Sequence, residues 1–237
     1  MASPFSQDGS PLVSCSATHC LELEATTRRV LSWARTRAGN RFGQLGRGKD
    51  CVPAAAPVAV PGNVVSVSAG GGNDAGHSAV VTESGQVYTW GCDRWQQLGM
   101  GSTGEGAQNT WAGGKLWQVS PQLLCVGGIA AVACGADHTV ALKQDGRTVL
   151  TWGRGEHGQL GRRSKLFVGA PARSDVLSLT PGEGQPIIAR VVAIENCSAT
   201  LRADGTVIQT AGKCKHLRLV IEAYSTAAAF APSFGNS

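Results

Sequence analysis

One short unit is written three times in this chain, and it constrains the fold more than any other feature. The copies are RTVLTWGRGEHGQLG at 147–161, VYTWGCDRWQQLG at 87–99 and VLSWARTRAGNRFGQLG at 30–46. Tryptophan recurs at spacings of 57 and 62 residues along the chain. A period of this length indicates a repeat protein, in which each unit packs against its neighbours.

A histidine precedes the tryptophan of each unit at a nearly constant distance. The pairs are His19 and Trp33 (14 residues apart), His77 and Trp90 (13 apart), and His138 and Trp152 (14 apart). Agreement between this internal spacing and the repeat spacing is stronger evidence for a repeat than any single motif. We interpret the histidines as polar strand-end residues that satisfy turn backbone groups, and the three tryptophans as core.

The segments between the markers have the composition of short β-strands. Alternating, β-branched runs lie at 64–68, 77–82 and 87–90, with a glycine turn at 83–86, and the third unit repeats this at 130–134, 138–142 and 148–152. Each unit is predicted to form about four short antiparallel strands. The remaining residues of the pattern are turn glycines and leucines that return to the core: Gly91, Gly153, Leu45, Leu98, Leu160, Gly46, Gly99 and Gly161.

The pattern divides the chain into an arm, four units and a tail. The arm is 1–12, the units lie near 13–62, 63–126, 127–185 and 186–212, and the tail is 213–237, of which 216–229 could form a short helix. The first unit is altered, because Trp33 and Leu45 are 12 residues apart instead of 8. The fourth is degenerate, with Thr210 at the tryptophan position and no following Gln-Leu-Gly.

These units resemble the repeats of the regulator of chromosome condensation family. The resemblance rests on His77-Ser78 and His138-Thr139, on Trp-Gly at 90–91 and 152–153, and on Gly-Gln-Leu-Gly at 43–46 and 158–161. It implies an all-β fold, a β-propeller of four-stranded antiparallel blades. Family propellers usually close with seven blades, whereas this chain has room for about four. The expectation is therefore a partial propeller, open or completed by a partner, with degenerate first and last blades.

Composition narrows the classes of function. Of the 237 residues, 16% are charged and 42% hydrophobic, which is typical of a globular chain and not of a disordered one. The net charge of +5 permits an acidic partner, but no concentrated basic stripe favours nucleic acid. No apolar run reaches the length of a membrane span and no secretory signal is present, so we expect no membrane association and an intracellular, cytoplasmic location with eight reduced cysteines.

Motifs that could carry chemistry are explained by the repeat. The G-x-G-x-x-G at 153–158 lacks the following helix that dinucleotide binding requires. Cys15, His19 and Cys20 lack a second ligand pair for zinc, and on a single strand the two cysteines would face opposite ways. No nucleophile and base are marked out. We therefore predict no enzyme, no cofactor, no metal and no catalytic residue.

Residues that the repeat does not require are candidates for partner contact. Three are tryptophans that lie in or before a loop predicted at 100–118: Trp95, Trp111 and Trp117. The alternative is that they pack locally within that loop. The others form two basic groups, for which a solvated loop is the alternative: Arg35, Arg37 and Arg41 in the first unit, and Arg162, Arg163 and Lys165 in the third.

Two classes of function follow. The first is a non-catalytic protein-interaction or scaffold module in a larger intracellular assembly, with a protein partner that could complete the ring. The second, by analogy with the family, is a regulator of a small GTPase of the nucleotide-exchange type, or a chromatin or nucleic-acid adaptor, although nucleic acid is not favoured.

Overall fold

The computed structural model describes residues 12–37, 39–72, 75–101, 116–162, 167–180 and 186–210. In these ranges the regular structure is entirely β, and fifteen strands form four antiparallel sheets. The predicted class, a partial β-propeller with a degenerate last blade, is confirmed. The predicted tail with its short helix, and nearly all of the predicted arm, lie outside the described residues.

The blades follow one another in chain order. The first comprises β1 (Leu12–Cys15), β2 (His19–Leu23), β3 (Val30–Ala34) and β4 (Ala56–Val58); the second β5 (Val64–Gly71), β6 (Gly76–Thr82), β7 (Val87–Cys92) and β8 (Trp117–Leu123); the third β9 (Ile129–Cys134), β10 (His138–Lys143), β11 (Val149–Arg154) and β12 (Phe167–Arg173); the fourth β13 (Ile188–Ile194), β14 (Cys197–Arg202) and β15 (Val207–Gln209).

Tight turns join the strands as the sequence predicts. At residues 83–86 the Thr82 N–H donates to the Gln86 carbonyl at 2.9 Å, and Gly85 has a φ of +78°. Positive φ is accessible to glycine at little cost, which explains why the turn carries it.

The hydrophobic core lies between the blades. The first strands β1, β5, β9 and β13 contact one another in succession, which places them on the inner side of the arc. One buried cluster joins the first and second blades through Leu21 and Trp90, and another joins the second and third through Val81 and Trp152. Blade-to-blade packing, more than any single blade, is therefore the source of hydrophobic stabilisation.

The outermost strands show where sequence patterns are weakest. β4, β8 and β12 each contain a proline, at Pro57, Pro121 and Pro171. Proline is tolerated on a sheet edge because the edge strand leaves half of its N–H groups unpaired. The loop predicted at 100–118 ends earlier than expected, because β8 begins at Trp117.

The prediction for Cys15 and Cys20 was wrong. They lie on different strands, β1 and β2, and the hairpin register places them directly opposite each other as a disulfide with a Cα–Cα distance of 4.1 Å. The parity argument applies only to residues of a single strand, and a turn intervenes here. The expectation of reduced thiols likewise does not hold for this pair, whereas Cys92 and Cys134 are free and buried.

Candidate functional site

The repeated histidines form hydrogen-bonded latches between blades. Each fully buried imidazole reaches a hydroxyl at the start of the second strand of the next blade, a contact that the predicted turn role did not include. His19 also serves its own turn, because its Nδ1 lies 2.9 Å from the Ser16 hydroxyl and 3.1 Å from the Thr18 hydroxyl. The Nε2–Oγ distances are 2.8 Å for His19 and Ser78, 3.0 Å for His77 and Thr139, and 2.8 Å for His138 and Ser198.

The direction of each bond follows from a second hydrogen bond that the hydroxyl makes. The hydroxyls of Ser78, Thr139 and Ser198 donate to the backbone carbonyls of Gln44, Gln97 and Gln159, at 2.9, 2.9 and 2.8 Å. A hydroxyl has a single proton, so Nε2–H must donate to the hydroxyl oxygen. When the imidazole is neutral, its lone pair is therefore on Nδ1.

Burial keeps the latch histidines neutral. Loss of hydration lowers the pKa of His19 to about 3 and of His138 to about 4. Burial, with smaller contributions from the neighbouring His138 and His19, lowers the pKa of His77 to about 3. These histidines are unsuited to general acid–base chemistry near neutral pH, because they are unprotonated and enclosed.

The tryptophans strengthen the same contact points. Trp90 Nε1 donates to the Gln44 carbonyl at 2.9 Å, and Trp152 Nε1 donates to the Gln97 carbonyl at 2.8 Å. A Cβ on Gly99 would lie 2.5 Å from Trp152 Nε1. In the second blade the glycine that ends the Gln-Leu-Gly turn therefore makes room for the indole of the next blade, and in the first blade Gly46 has the same relation to Trp90.

The Gln-Leu-Gly turn is itself held within its own blade. The Gln97 side-chain oxygen accepts the Trp95 backbone N–H at 2.8 Å, and the Leu98 carbonyl accepts the Thr89 hydroxyl at 2.8 Å. The same pair of contacts recurs around Gln44 and Gln159. The remaining repeat residues, Leu45, Leu160 and Gly161, are also buried, and Gly91 and Gly153 sit at positive φ beside the latch histidines.

The end blades lack the residues for a further latch. In the first blade Cys20 occupies the hydroxyl position, and in the fourth blade Cys197 and Thr210 stand where histidine and tryptophan are expected. Trp33 was predicted to be core, but it is only partly buried, and no blade precedes the first among the described residues. Its indole N–H has no hydrogen-bond partner among the described residues.

Two predicted contact residues make contacts inside the protein, Trp95 at a blade junction and Arg162 within the third blade. The Arg154 guanidinium lies 4.3 Å from the centre of the Trp95 ring, so Trp95 is part of the junction between the second and third blades. Arg162 turns inward, where it donates to the backbone carbonyls of Thr151 and Ala172, and burial lowers its pKa. Arg47 makes the corresponding contacts in the first blade, to Ser32, Val52 and Ala54.

The other residues predicted to contact a partner lie in several parts of the chain. Arg35, Arg37 and Arg41 are exposed on the loop that follows β3. Trp111, Arg163 and Lys165 lie outside the described residues. Trp117 packs edge-on against Phe42, with ring centres 6.2 Å apart. Arg94 and Lys49, which no repeat signal marks, complete this group: Arg94 lies 4.9 Å from the Phe42 ring centre, and Lys49 lies 6.0 Å from that of Trp117.

Signs of metal binding or membrane insertion were also sought in the described ranges. These ranges contain no group of three histidine, cysteine or carboxylate side chains placed to hold a metal ion. Nor do they contain a helix long and apolar enough to cross a bilayer.

The repeated unit that builds these blades matches a known family of repeats. Models of the regulator of chromosome condensation (RCC1) repeat match residues 84–142 and 129–159. The chain therefore carries RCC1 repeats in an RCC1-like β-propeller fold, as its sequence predicts.

Several larger proteins contain a region similar to this chain. The chain is 33% identical over 158 residues to the human probable E3 ubiquitin-protein ligase HERC4, an alignment that covers 64% of the chain and 13% of the relative. It is 33% identical over 153 residues to the Arabidopsis thaliana ultraviolet-B receptor UVR8, covering 63% of the chain and 30% of the receptor. Most of each relative's length thus lies outside the aligned region.

Solved structures show the same fold. The match to Prp20p from Saccharomyces cerevisiae has a TM-score of 0.61 at 22% identity and covers 92% of this chain and 47% of that one. The match to human WBSCR16 has a TM-score of 0.62 at 24% identity and covers 84% and 46%. The chain thus spans just under half the length of these propellers.

Proposed function

We propose that this chain is a non-catalytic protein-interaction module. The observation that carries the proposal is the use of the repeat's polar residues: the three histidines, their hydroxyl partners and the Gln carbonyls are buried and hydrogen-bonded to one another. They stabilise the arc, so function is left to the exposed loops on a rigid frame. The ligase activity named for HERC4 is not carried over, because the chain matches 13% of that protein.

The ends of the arc limit how a partner could extend it. With Cys20 in the first blade and Cys197 in the fourth, neither end has the donor or acceptor for another histidine latch. A partner that completes the ring would therefore use other contacts. We expect it to cover half-buried Trp33, on the side of the first blade where the described residues place no other blade.

Affinity purification with quantitative mass spectrometry tests the proposal. The tagged chain is the bait, and a Trp152→Ala bait with weakened blade packing is the control. Proteins enriched on the wild-type bait, depleted on the control and able to bind the purified chain directly would support the module. Failure to enrich any protein over a tag-only bait would contradict it.

A second candidate function is regulation of a small GTPase by nucleotide exchange. It is favoured by the fold shared with Prp20p, whose structure was described together with its binding properties to Gsp1p and histones. Fluorescent-nucleotide release from a Ran-type GTPase separates the two functions. An interaction module should leave the intrinsic release rate unchanged, whereas acceleration that depends on chain concentration would favour exchange. Pull-down of purified histones by the same preparation tests the chromatin alternative.

A further inference from the structure

Three cations surround two aromatic rings at the junction of the first and second blades. Arg94 and Arg41 lie 4.9 and 5.5 Å from the Phe42 ring centre, and Lys49 lies 6.0 Å from that of Trp117. We call these five residues the basic aromatic cluster. The rings restrain the cations by cation–π attraction, which reduces the side-chain entropy lost when a ligand binds.

The junction of the second and third blades shows that packing of this kind does not need an unpaired positive charge. There Arg154 lies over Trp95 in a similar stack, but its guanidinium is paired with Asp137 and Glu156. Among the described residues, by contrast, Arg41, Lys49 and Arg94 form no ion pair. Their three charges are therefore available to an external partner.

Among the described residues, nearby acidic groups offset only part of this charge. Asp137 interacts electrostatically with Arg94, but its carboxylate is paired with Arg154 at 3.5 Å. Asp50 is exposed and adjacent in sequence to Lys49. Asp93 is buried, and one of its oxygens accepts the Leu98 N–H at 2.9 Å. Arg35 and Arg37 are exposed on the loop that leads to the cluster and add further positive charge. The face is thus cationic, although the whole chain has a net charge of only +5.

The chemistry of the cluster favours carboxylates over nucleic acid. Guanidinium groups bind carboxylates through paired N–H donors, and Arg41 and Arg94 provide two such groups beside an ammonium. Single-stranded nucleic acid requires open aromatic faces on which bases stack. Here Phe42 is buried and cations lie over both rings, so no free stacking platform remains.

We propose that the basic aromatic cluster is the docking site for an acidic segment, rich in Asp and Glu, of a partner protein. This inference rests on the proposed interaction function and names one surface for it. Arg41 and Arg94 bind carboxylates of the segment, Lys49 adds a third attraction, and Arg35 and Arg37 extend the site along the loop.

The test measures binding of a fluorescein-labelled octaglutamate peptide by fluorescence anisotropy. The variant is Arg41→Glu with Arg94→Glu, and the matched control is Arg29→Glu with Lys143→Glu, which changes the net charge equally near the hairpin turns. Because two contacts are lost and repulsion is added, the cluster variant should weaken binding by about tenfold or more. The control should change binding by less than about threefold, and binding should weaken with added salt because exposed charges are screened.

Three further measurements make the result decisive. Arg41→Gln with Arg94→Gln, which removes charge without repulsion, should also weaken binding and should melt within a few degrees of wild type. Equal binding by both charge-reversal variants would overturn the proposal, as would wild-type chain that does not bind octaglutamate. Tighter, cluster-dependent binding of a dT16 oligonucleotide would replace the acidic segment with nucleic acid. If affinity purification still yields partners that the cluster variant also captures, the docking site fails while the interaction function stands.

Discussion

Acidification should unfold this protein through its latches. The free histidine side chain has a pKa of 6.5, whereas burial lowers the folded-state pKa to about 3 for His19 and His77 and to about 4 for His138. Between pH 6.5 and about 4 the unfolded chain binds protons at these three sites and the folded chain largely does not. Their contribution to stability is therefore complete above pH 6.5 and is lost as the pH falls toward 4.

The magnitude follows from linkage. Each such histidine lowers the free energy of unfolding by about 1.4 kcal/mol per pH unit between pH 6 and pH 4, so the three together give about 4 kcal/mol per unit. Between pH 8 and pH 5 the total loss is about 6 kcal/mol, comparable with the 5–15 kcal/mol that stabilises a typical domain. Asp145, whose pKa is lowered by hydrogen bonds from Thr148 and Arg147, stays ionised in this window.

Urea unfolding followed by tryptophan fluorescence at pH 5.0, 5.5, 6.0 and 7.5 measures this slope. His138→Gln removes one titrating group and should reduce the slope by about one third, to about 2.7 kcal/mol per pH unit, whatever its effect on absolute stability. A wild-type slope near that of a single histidine, or an unchanged slope in His138→Gln, would refute the assignment of neutral, buried latches.

Three further predictions concern packing, and each is checked by chemical denaturation. Trp152→Ala should lower the free energy of unfolding by about 3–5 kcal/mol, whereas Trp33→Ala should lower it by about 1–2 kcal/mol because that ring is only partly buried. Equal losses would contradict the difference in burial between the two rings. Gly99→Ala should destabilise more than Gly101→Ala, since both have positive φ but only the former places a Cβ against Trp152. Ser198→Ala should cost about 1–3 kcal/mol by leaving the latch imidazole N–H unpaired, and no loss of stability would mean that the bond contributes nothing net.

The latches also explain how four blades form one arc. Three junctions exist, and three complete sets of histidine, hydroxyl and Gln carbonyl serve them. Cys20 and Cys197 occupy the positions where a fourth set would begin or end. The end units thus lack particular hydrogen-bonding groups that the three junctions use.

Local patterns were sufficient for the blades. Alternating β-branched residues and turn glycines predicted the inner three strands of the second and third units, because period-two burial and positive φ act within a few residues of the chain. The outer strands were less visible, since Pro57, Pro121 and Pro171 disfavour a strand prediction although an edge tolerates them. The repeat alone also indicated that Trp90 and Trp152 are core.

The tertiary structure decided what those residues touch. Each latch joins groups about 60 residues apart, so no local pattern could show that His138 donates to Ser198 or that Trp33 is only partly buried. Hairpin register, and not parity along one strand, brings Cys15 and Cys20 together. The cluster around Phe42 arises because two loops meet at a blade junction. The chain's own repeat determined the architecture, whereas the proposed docking surface depends on contacts between units, which only packing in three dimensions creates.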